Sequence, residues 1–307
     1  MTQRDTNTLS LRRLRSLAEW KAGSSSIPTD SGSGVSSVAV ARWRVLLGAI
    51  ALLNLALWTL SGVAATRLRA GLSPETYAAC HMQLMLSAAY VLGCAFRSLF
   101  PVYDIRRLVL VDSRLSSVLV GRSVATVAEL CFAFQWVLML RTVPLLGSSP
   151  FAHTVSLAVL PLILFAEGCS WHAVLTTAQR GHVVENSIWG LSAALVVASL
   201  VVAGAHRLAD LYPPVIAWCI GGAAYVVFIF FFDVPMYWSR WLADRADGRR
   251  YLSIIQGVAD VYRRRIVSYR WEDWKNEVLW MSLYFTFGVW SSISLVYAAV
   301  ALGAHRS

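Results

Sequence analysis

Seven long apolar stretches divide this sequence, and they constrain its fold more than any other feature. A helix needs about 20 apolar residues to cross the hydrocarbon core of a bilayer, which is about 30 Å thick. The sequence meets this requirement near residues 43–65, 77–96, 116–140, 153–177, 184–205, 214–237 and 278–302. Turn-forming Ser-Pro, Gly-Ser and Pro-Pro pairs separate several of these stretches. The pattern predicts an all-α integral membrane protein, a bundle of seven transmembrane helices.

The composition supports this fold class. Hydrophobic residues make up 57% of the chain and charged residues 14%, whereas soluble domains carry roughly 25% charged residues. A soluble enzyme, a disordered chain and a disulfide-rich secreted module are therefore excluded. The five cysteines all lie in apolar stretches without a CxxC spacing, so we expect free, buried thiols.

The basic residues predict an orientation. Of the 27 lysines and arginines, twenty-one fall at one end of the predicted bundle and five at the other, and one lies inside a stretch. Short basic loops stay in the cytoplasm, so we expect a cytoplasmic N-terminus and an outside C-terminus, in a plasma or inner membrane rather than an organelle. Topology thus accounts for the net charge of +10, and we expect no nucleic-acid partner.

Two domains follow from this pattern. Residues 1–42 are predicted to form a basic, partly disordered cytoplasmic segment. Within it, Leu11, Leu14 and Leu17 alternate with arginines in a short helical pattern, which is typical of a helix at a membrane surface. Residues 23–37 are rich in Ser and Gly and are interpreted as a linker. Residues 43–307 are predicted to form the transmembrane domain.

The connection between the sixth and seventh stretches is the only long polar one. Apolar residues recur there at helical spacing, at Ile254, Ile255, Val258 and Tyr262. We therefore predict an amphipathic cytoplasmic helix at about residues 249–266 that lies on the inner leaflet and contacts anionic lipid. Docking of a cytoplasmic protein is the alternative, and the sequence does not identify such a partner.

Ionisable residues inside the apolar stretches indicate where function resides, because each costs at least a few kcal/mol at bilayer depth. The candidate substrate- or ion-binding residues are Glu129, Glu167, Arg122, His172 and Asp233. Arg122 and Glu129 are seven residues apart and share one helix face. We expect these side chains to line a polar cavity that faces the cytoplasm.

Two interpretations of these residues remain open. In the structural one, Arg122 pairs with Glu167 across the bundle, and a protonated Glu129 forms a hydrogen bond with Gln83 or Thr126. In the functional one, Glu129 and Glu167 bind or relay a proton, an ion or a small cationic molecule. We favour binding or transport of a small molecule or ion as the overall function.

An intramembrane lipid-modifying enzyme is an alternative, with His172 acting beside Glu167 or Asp233. Glu167 and His172 point about 140° apart on a helix, and no HExxH motif is present. The sequence therefore predicts no metal and no cofactor, and it assigns no catalytic residue. A retinal protein is excluded, because Lys21 and Lys275 both lie outside the stretches.

A non-catalytic scaffold or accessory subunit is the third interpretation. Its working surface would be the basic sixth connection, in particular Arg263, Arg264 and Arg265. Loss of a complex on neutralising these arginines would distinguish this function from transport.

Overall fold

The computed structural model describes residues 33–142, 146, 148–205, 213–298 and 300. Within these residues, seven helical segments are long and apolar enough to cross a membrane. The prediction of an all-α bundle in an integral, multi-pass membrane protein is confirmed to this extent. The predicted surface helix near Leu11 and most of the predicted linker lie outside the described residues.

Ten α-helices form the described part of the chain, and two five-residue π-helical turns interrupt the sixth and seventh spans. The helices are α1 (Ser33–Leu68), α2 (Pro74–Leu99), α3 (Val118–Thr142), α4 (Pro150–Thr176), α5 (Arg180–Ala205), α6 (Pro213–Phe228), α7 (Val234–Ala246), α8 (Ile254–Arg263), α9 (Trp271–Leu283) and α10 (Val289–Leu295). The π turns are Ile229–Asp233, between α6 and α7, and Tyr284–Gly288, between α9 and α10. The first five spans are single helices, whereas α6 with α7 and α9 with α10 form the sixth and seventh.

Three helix boundaries lie seven or more residues outside the predicted stretches. The first helix begins at Ser33 rather than near residue 43, because Val40, Trp43 and Leu47 form a continuous buried stripe against the bundle. The sixth span continues to Ala246 and the seventh begins at Trp271. Arg240 and Glu277 pair with each other at 3.4 Å, so these two helices extend through residues that the hydropathy pattern had placed in a loop.

Among the first six spans, each packs against the next one along the chain, and the seventh span closes the bundle against α1, α2 and α3. Small residues permit the closest approaches. A Cβ added to Gly93 of α2 would lie 2.7 Å from the Cβ of Ala128 on α3, so these two helices meet at a distance that only glycine allows. Close packing through small residues is typical of membrane helices.

The connections at one end of the bundle fold together into a small cap. We call this end, which carries residues 100–117, 177–179 and 247–270, the basic end. Strand β1 (Val102–Tyr103) pairs antiparallel with β2 (Leu108–Val109), and β2 pairs parallel with β3 (Ile266–Val267). Helix α8 packs on the ends of α3 and α4. The cap therefore joins the second and sixth connections to the spans.

Arg107 is the central residue of this cap. Its side chain is 1% exposed, and its φ of 58° is a left-handed conformation that a non-glycine residue rarely adopts. Its Nε donates to Asp260 Oδ2 of α8 at 2.7 Å, and its Nη2 donates to the Val174 carbonyl of α4 at 2.9 Å. One buried arginine thus ties three chain segments together.

The sixth connection contains a helix shorter than the predicted 249–266. Ser253 caps α8 by accepting a hydrogen bond from the Gln256 amide, and the Gln256 side chain accepts one from the Ser253 amide in return. After Arg263 the chain turns into β3. These two local features fix the length of the helix.

Candidate functional site

A cluster of ionisable side chains lies inside the bundle, with Arg122 of α3 at its centre. Arg122 Nη2 donates hydrogen bonds to Glu167 Oε2 at 2.7 Å, to Glu129 Oε2 at 3.0 Å and to Glu185 Oε1 at 3.4 Å. Arg122 is 6% exposed and Glu167 is 3% exposed. One guanidinium nitrogen therefore contacts carboxylates from three helices. We call these four residues the acid cluster.

The geometry of α3 brings two members of the cluster together. Arg122 lies about 6 Å and Glu129 about 16 Å along the helix axis from Val118, at 1.5 Å per residue. Seven residues correspond to almost two full turns, so both side chains lie on one face and the long arginine side chain covers the distance between them. The predicted common face of Arg122 and Glu129 is present in the structure.

Hydroxyl groups from other spans hold the carboxylates in place. Thr126 Oγ1 donates to Glu167 Oε2 at 2.6 Å and accepts from Trp171 Nε1 at 3.0 Å. Tyr284 Oη donates to Glu129 Oε1 at 2.9 Å. Tyr284 begins the π turn of the seventh span, and π turns are frequent at functional sites because they redirect side chains.

Helix α5 extends the cluster toward the basic end. His182 Nδ1 lies 2.6 Å from Glu185 Oε2, one turn along the same helix. The His182 ring also packs on the ring of Tyr237, with centroids 5.0 Å apart. A connected row of polar groups therefore leads from His182 through Glu185 and Arg122 to Glu129.

The acid cluster contains more negative than positive charge. With all groups ionised, one guanidinium faces three carboxylates, and a protonated His182 adds one further positive charge. Uncompensated charge is costly in a membrane interior. In addition, Glu167 Oε1 and Arg122 Nε are buried and have no hydrogen-bond partner among the described residues. With all groups ionised, the cluster therefore carries excess negative charge that protonation of a carboxylate would remove.

The three carboxylates are close enough to share one ion. One oxygen each from Glu129, Glu167 and Glu185 lie within 4.8 Å of one another. Hard divalent cations such as Mg²⁺ and Ca²⁺ are bound by carboxylate oxygens in such groups. Arg122 Nη2 contacts the same three side chains, so a metal ion at this position would compete with the guanidinium.

A cavity of about 110 Å³ adjoins the cluster. Arg122, Glu129 and Glu185 line its inner part, and Arg97 and Asp104 line its part near the cap. Because a water molecule occupies about 30 Å³ in the liquid, this volume accommodates a few waters or a small ion. The cavity connects the acid cluster with the basic end of the bundle.

A second polar group lies in the wall of this cavity. Arg240 contacts Glu277 Oε1 at 3.4 Å through Nη2 and donates to Tyr103 Oη at 3.2 Å through Nη1. Burial raises the pKa of the Tyr103 phenol, which therefore stays neutral at physiological pH. Asp233 is 5% exposed, and its Oδ2 has no partner in the part of the chain that the structure describes.

The structure brings three of the five sequence-predicted residues into direct contact: Arg122, Glu129 and Glu167. Asp233 is buried, but no hydrogen bond or ion pair joins it to them within the described residues. His172 is half-buried, and within the described ranges no hydrogen bond or ion pair joins its side chain to Glu167 or Asp233. It lies five residues from Glu167 on the same helix, which turns it away from the cluster.

The pairing of Arg122 with Glu167 is present as expected, whereas the expected partners of Glu129 are not. Thr126 bonds to Glu167 instead. Gln83 donates to the Gln135 carbonyl at 2.9 Å in a different layer of the bundle. Tyr284 takes the place of both at Glu129.

Sequence reasoning left four further residues out of the candidate site: His182, Glu185, Glu277 and Tyr284. His182 had been placed in a loop, and Glu277 lies one residue before the predicted start of the seventh span. The spacing of three between His182 and Glu185 on a helix start is a signal that could have found this pair. The meeting of Glu185 with Arg122, 63 residues apart, depends on tertiary packing.

Comparison with known proteins identified no relative: no protein-family model, no curated protein and no solved structure matches the chain. Fold and site together define its class. The chain is a multi-pass membrane protein with an ionisable cluster buried between its helices.

Proposed function

We propose that this membrane protein binds or transports a small molecule or ion through the cavity beside the acid cluster, and that the bound species is a cation. The observation that supports the proposal best is the charge balance of the cluster, in which one guanidinium contacts three carboxylates and His182 adds at most one further positive charge. A proton, a metal ion or a small cationic solute neutralises the excess. The buried Glu167 Oε1, which has no hydrogen-bond partner among the described residues, offers a free acceptor for it.

The size of the cavity narrows the substrate class. Pockets for drug-sized ligands measure about 300–1,000 Å³, whereas this cavity measures about 110 Å³. An ion or a solute of a few heavy atoms fits without rearrangement. A large organic molecule would require the helices to separate.

The side of entry follows from the arginine distribution. The cavity runs from the acid cluster to the cap at the basic end, and that end carries most of the basic residues. We propose that it faces the cytoplasm, as the positive-inside rule predicts. The substrate then enters or leaves on the cytoplasmic side, past Asp104 and Arg97.

Intramembrane enzyme chemistry has less support. That interpretation needs His172 next to Glu167 or Asp233, and no hydrogen bond or ion pair joins them among the described residues. The scaffold interpretation predicts that the buried acids contribute only to stability. The experiment below separates it from transport.

The test uses Glu129→Gln in the full chain, reconstituted into liposomes. Protons, Na⁺, Mg²⁺ and Mn²⁺ are tested one at a time, each with an enclosed dye that responds to that ion. Wild-type protein is expected to conduct at least one of these ions faster than protein-free vesicles do. Glu129→Gln should reduce this flux at least tenfold, because it removes one of the three acceptors that a cation must use.

The matched control is Glu75→Gln. Glu75 lies in the exposed first turn of α2 at the opposite end of the bundle, so this change removes a carboxylate without touching the cluster. Its flux should equal that of wild type. Equal flux in Glu129→Gln and wild type, at equal expression and thermal stability, would contradict the proposal.

A further inference from the structure

A second, larger pocket lies at the surface of the cap, apart from the acid cluster. Its volume is about 460 Å³. Four arginines and one aspartate supply its charged lining: Arg106, Arg249, Arg250, Arg264 and Asp273. Arginine presents several planar donors and is suited to binding phosphate oxygens. We call this site the basic pocket.

Aspartates compensate the charge of the basic pocket only in part. Three of its arginines each have one aspartate within 4 Å: Arg106 has Asp273 at 3.6 Å, Arg249 has Asp244 at 2.8 Å, and Arg264 has Asp260 at 3.8 Å. Asp260 also pairs with the buried Arg107. Arg250 is exposed and makes no ion pair within the described part of the chain. Positive charge therefore remains in excess.

An exposed apolar helix face lies beside the pocket. Leu252 and Arg264, which flank α8, both line the pocket. On α8 itself, Ile255 is 85% exposed and Tyr262 is 64% exposed. Ile254 and Val258 are also more than half exposed. A contiguous apolar face of this kind, in a segment between spans, needs an apolar environment.

The packing of α8 places this face at the level where two spans end. A Cβ at Gly257 would lie 2.1 Å from the carbonyl oxygen of Leu175, one residue before α4 ends. Val261 packs with Val118, the first residue of α3, and with Val174. The ends of spans lie at the membrane surface, so α8 lies at that depth.

We propose that the basic pocket binds the phosphate headgroup of an anionic phospholipid, while the exposed face of α8 rests on the acyl chains of the same membrane surface. A phosphate group satisfies the excess of arginines, and lipid covers Ile255 and its neighbours. This site is separate from the acid cluster, and the proposal does not depend on cation transport. A free phosphate would satisfy the arginines but would leave the helix face uncovered.

Native mass spectrometry of the full chain in detergent tests the proposal. Phosphatidylglycerol and phosphatidylcholine are titrated separately, and the retained lipid is counted. Phosphatidylglycerol should bind at least tenfold more tightly than phosphatidylcholine. Arg249→Gln with Arg250→Gln should weaken phosphatidylglycerol binding about tenfold, and lysine at both positions should retain most of it. Equal binding of the two lipids would overturn the proposal.

A matched control and two further arms separate the lipid from other ligands. Arg67→Gln with Arg69→Gln removes two exposed arginines at the opposite end and should leave binding unchanged. Ile255→Gln should weaken phosphatidylglycerol binding several-fold, and an unchanged affinity would overturn the role of α8. Inorganic phosphate, added as competitor at the lipid concentration, should not displace the lipid. Displacement would assign the pocket to free phosphate and overturn the proposal.

Discussion

Arg122 is the residue on which the acid cluster depends most. Among the described residues, it is the only arginine or lysine that pairs with Glu129, Glu167 or Glu185. Its partners come from three spans, so it also connects the helices. Removing one partner of a buried ion pair is costly because the other is left uncompensated.

Arg122→Gln is accordingly expected to lower the free energy of unfolding by about 3 kcal/mol. Arg122→Lys should lower the free energy of unfolding by less, because it keeps the positive charge. Some loss should remain, because lysine lacks the planar guanidinium. The measurement is unfolding in mixed micelles followed by circular dichroism. Arg122→Gln combined with Glu167→Gln should recover part of the loss, because fewer carboxylates remain uncompensated. Wild-type stability in Arg122→Gln would refute the assigned role.

At the scale of elements, helix α8 approaches the bundle most closely at one glycine. Gly257 sits against the backbone of Leu175, where no side chain fits. Gly168 on α4 has no atom within 4 Å of an added Cβ. The two glycines therefore differ in packing although both lie in helices.

Gly257→Ala should displace α8 without unfolding the spans. Hydrogen exchange of residues 254–263, measured by mass spectrometry in detergent, is expected to accelerate at least tenfold, as local opening becomes easier. Gly168→Ala is the matched control and should leave exchange in α8 unchanged, because alanine favours the helix and meets no obstacle. Identical exchange in Gly257→Ala and wild type would show that the contact with Leu175 does not hold the helix.

The helices also show which parts of the structure can be predicted from the sequence. Hydropathy gives the seven spans, and helical periodicity places Arg122 and Glu129 on one face. Hydropathy fails where polar residues of two helices pair with each other, as Arg240 of α7 and Glu277 of α9 do. Taken alone, each of these residues lowers the hydropathy and counts against a span. The contact of Arg122 with Glu185 and the folding of Arg107 into the cap depend on packing between distant segments, which one sequence does not encode as a local pattern.

At the scale of the whole molecule, most of the lysines and arginines that the structure describes lie at one end of the bundle. The basic end contains the cap, the basic pocket and the mouth of the cavity. If this end faces the cytoplasm, an anionic leaflet surrounds it and a cation meets the cavity from the cytosol. Orientation therefore determines the direction in which the proposed site operates.

Fusion proteins measure this orientation directly. Green fluorescent protein at the N-terminus should fluoresce, and alkaline phosphatase at the C-terminus should be active in a bacterial host, because seven spans place the termini on opposite sides. The two reciprocal fusions serve as controls and should be inactive. The reverse pattern would place the basic end outside and contradict the positive-inside prediction.

The contact of one guanidinium with three carboxylates has a consequence for affinity. Under the proposed function, an incoming cation would compete for the three carboxylates with the guanidinium that already contacts them. Net binding strength is then the difference between two attractions rather than one large attraction. We expect this competition to favour rapid release of a bound cation over its tight storage.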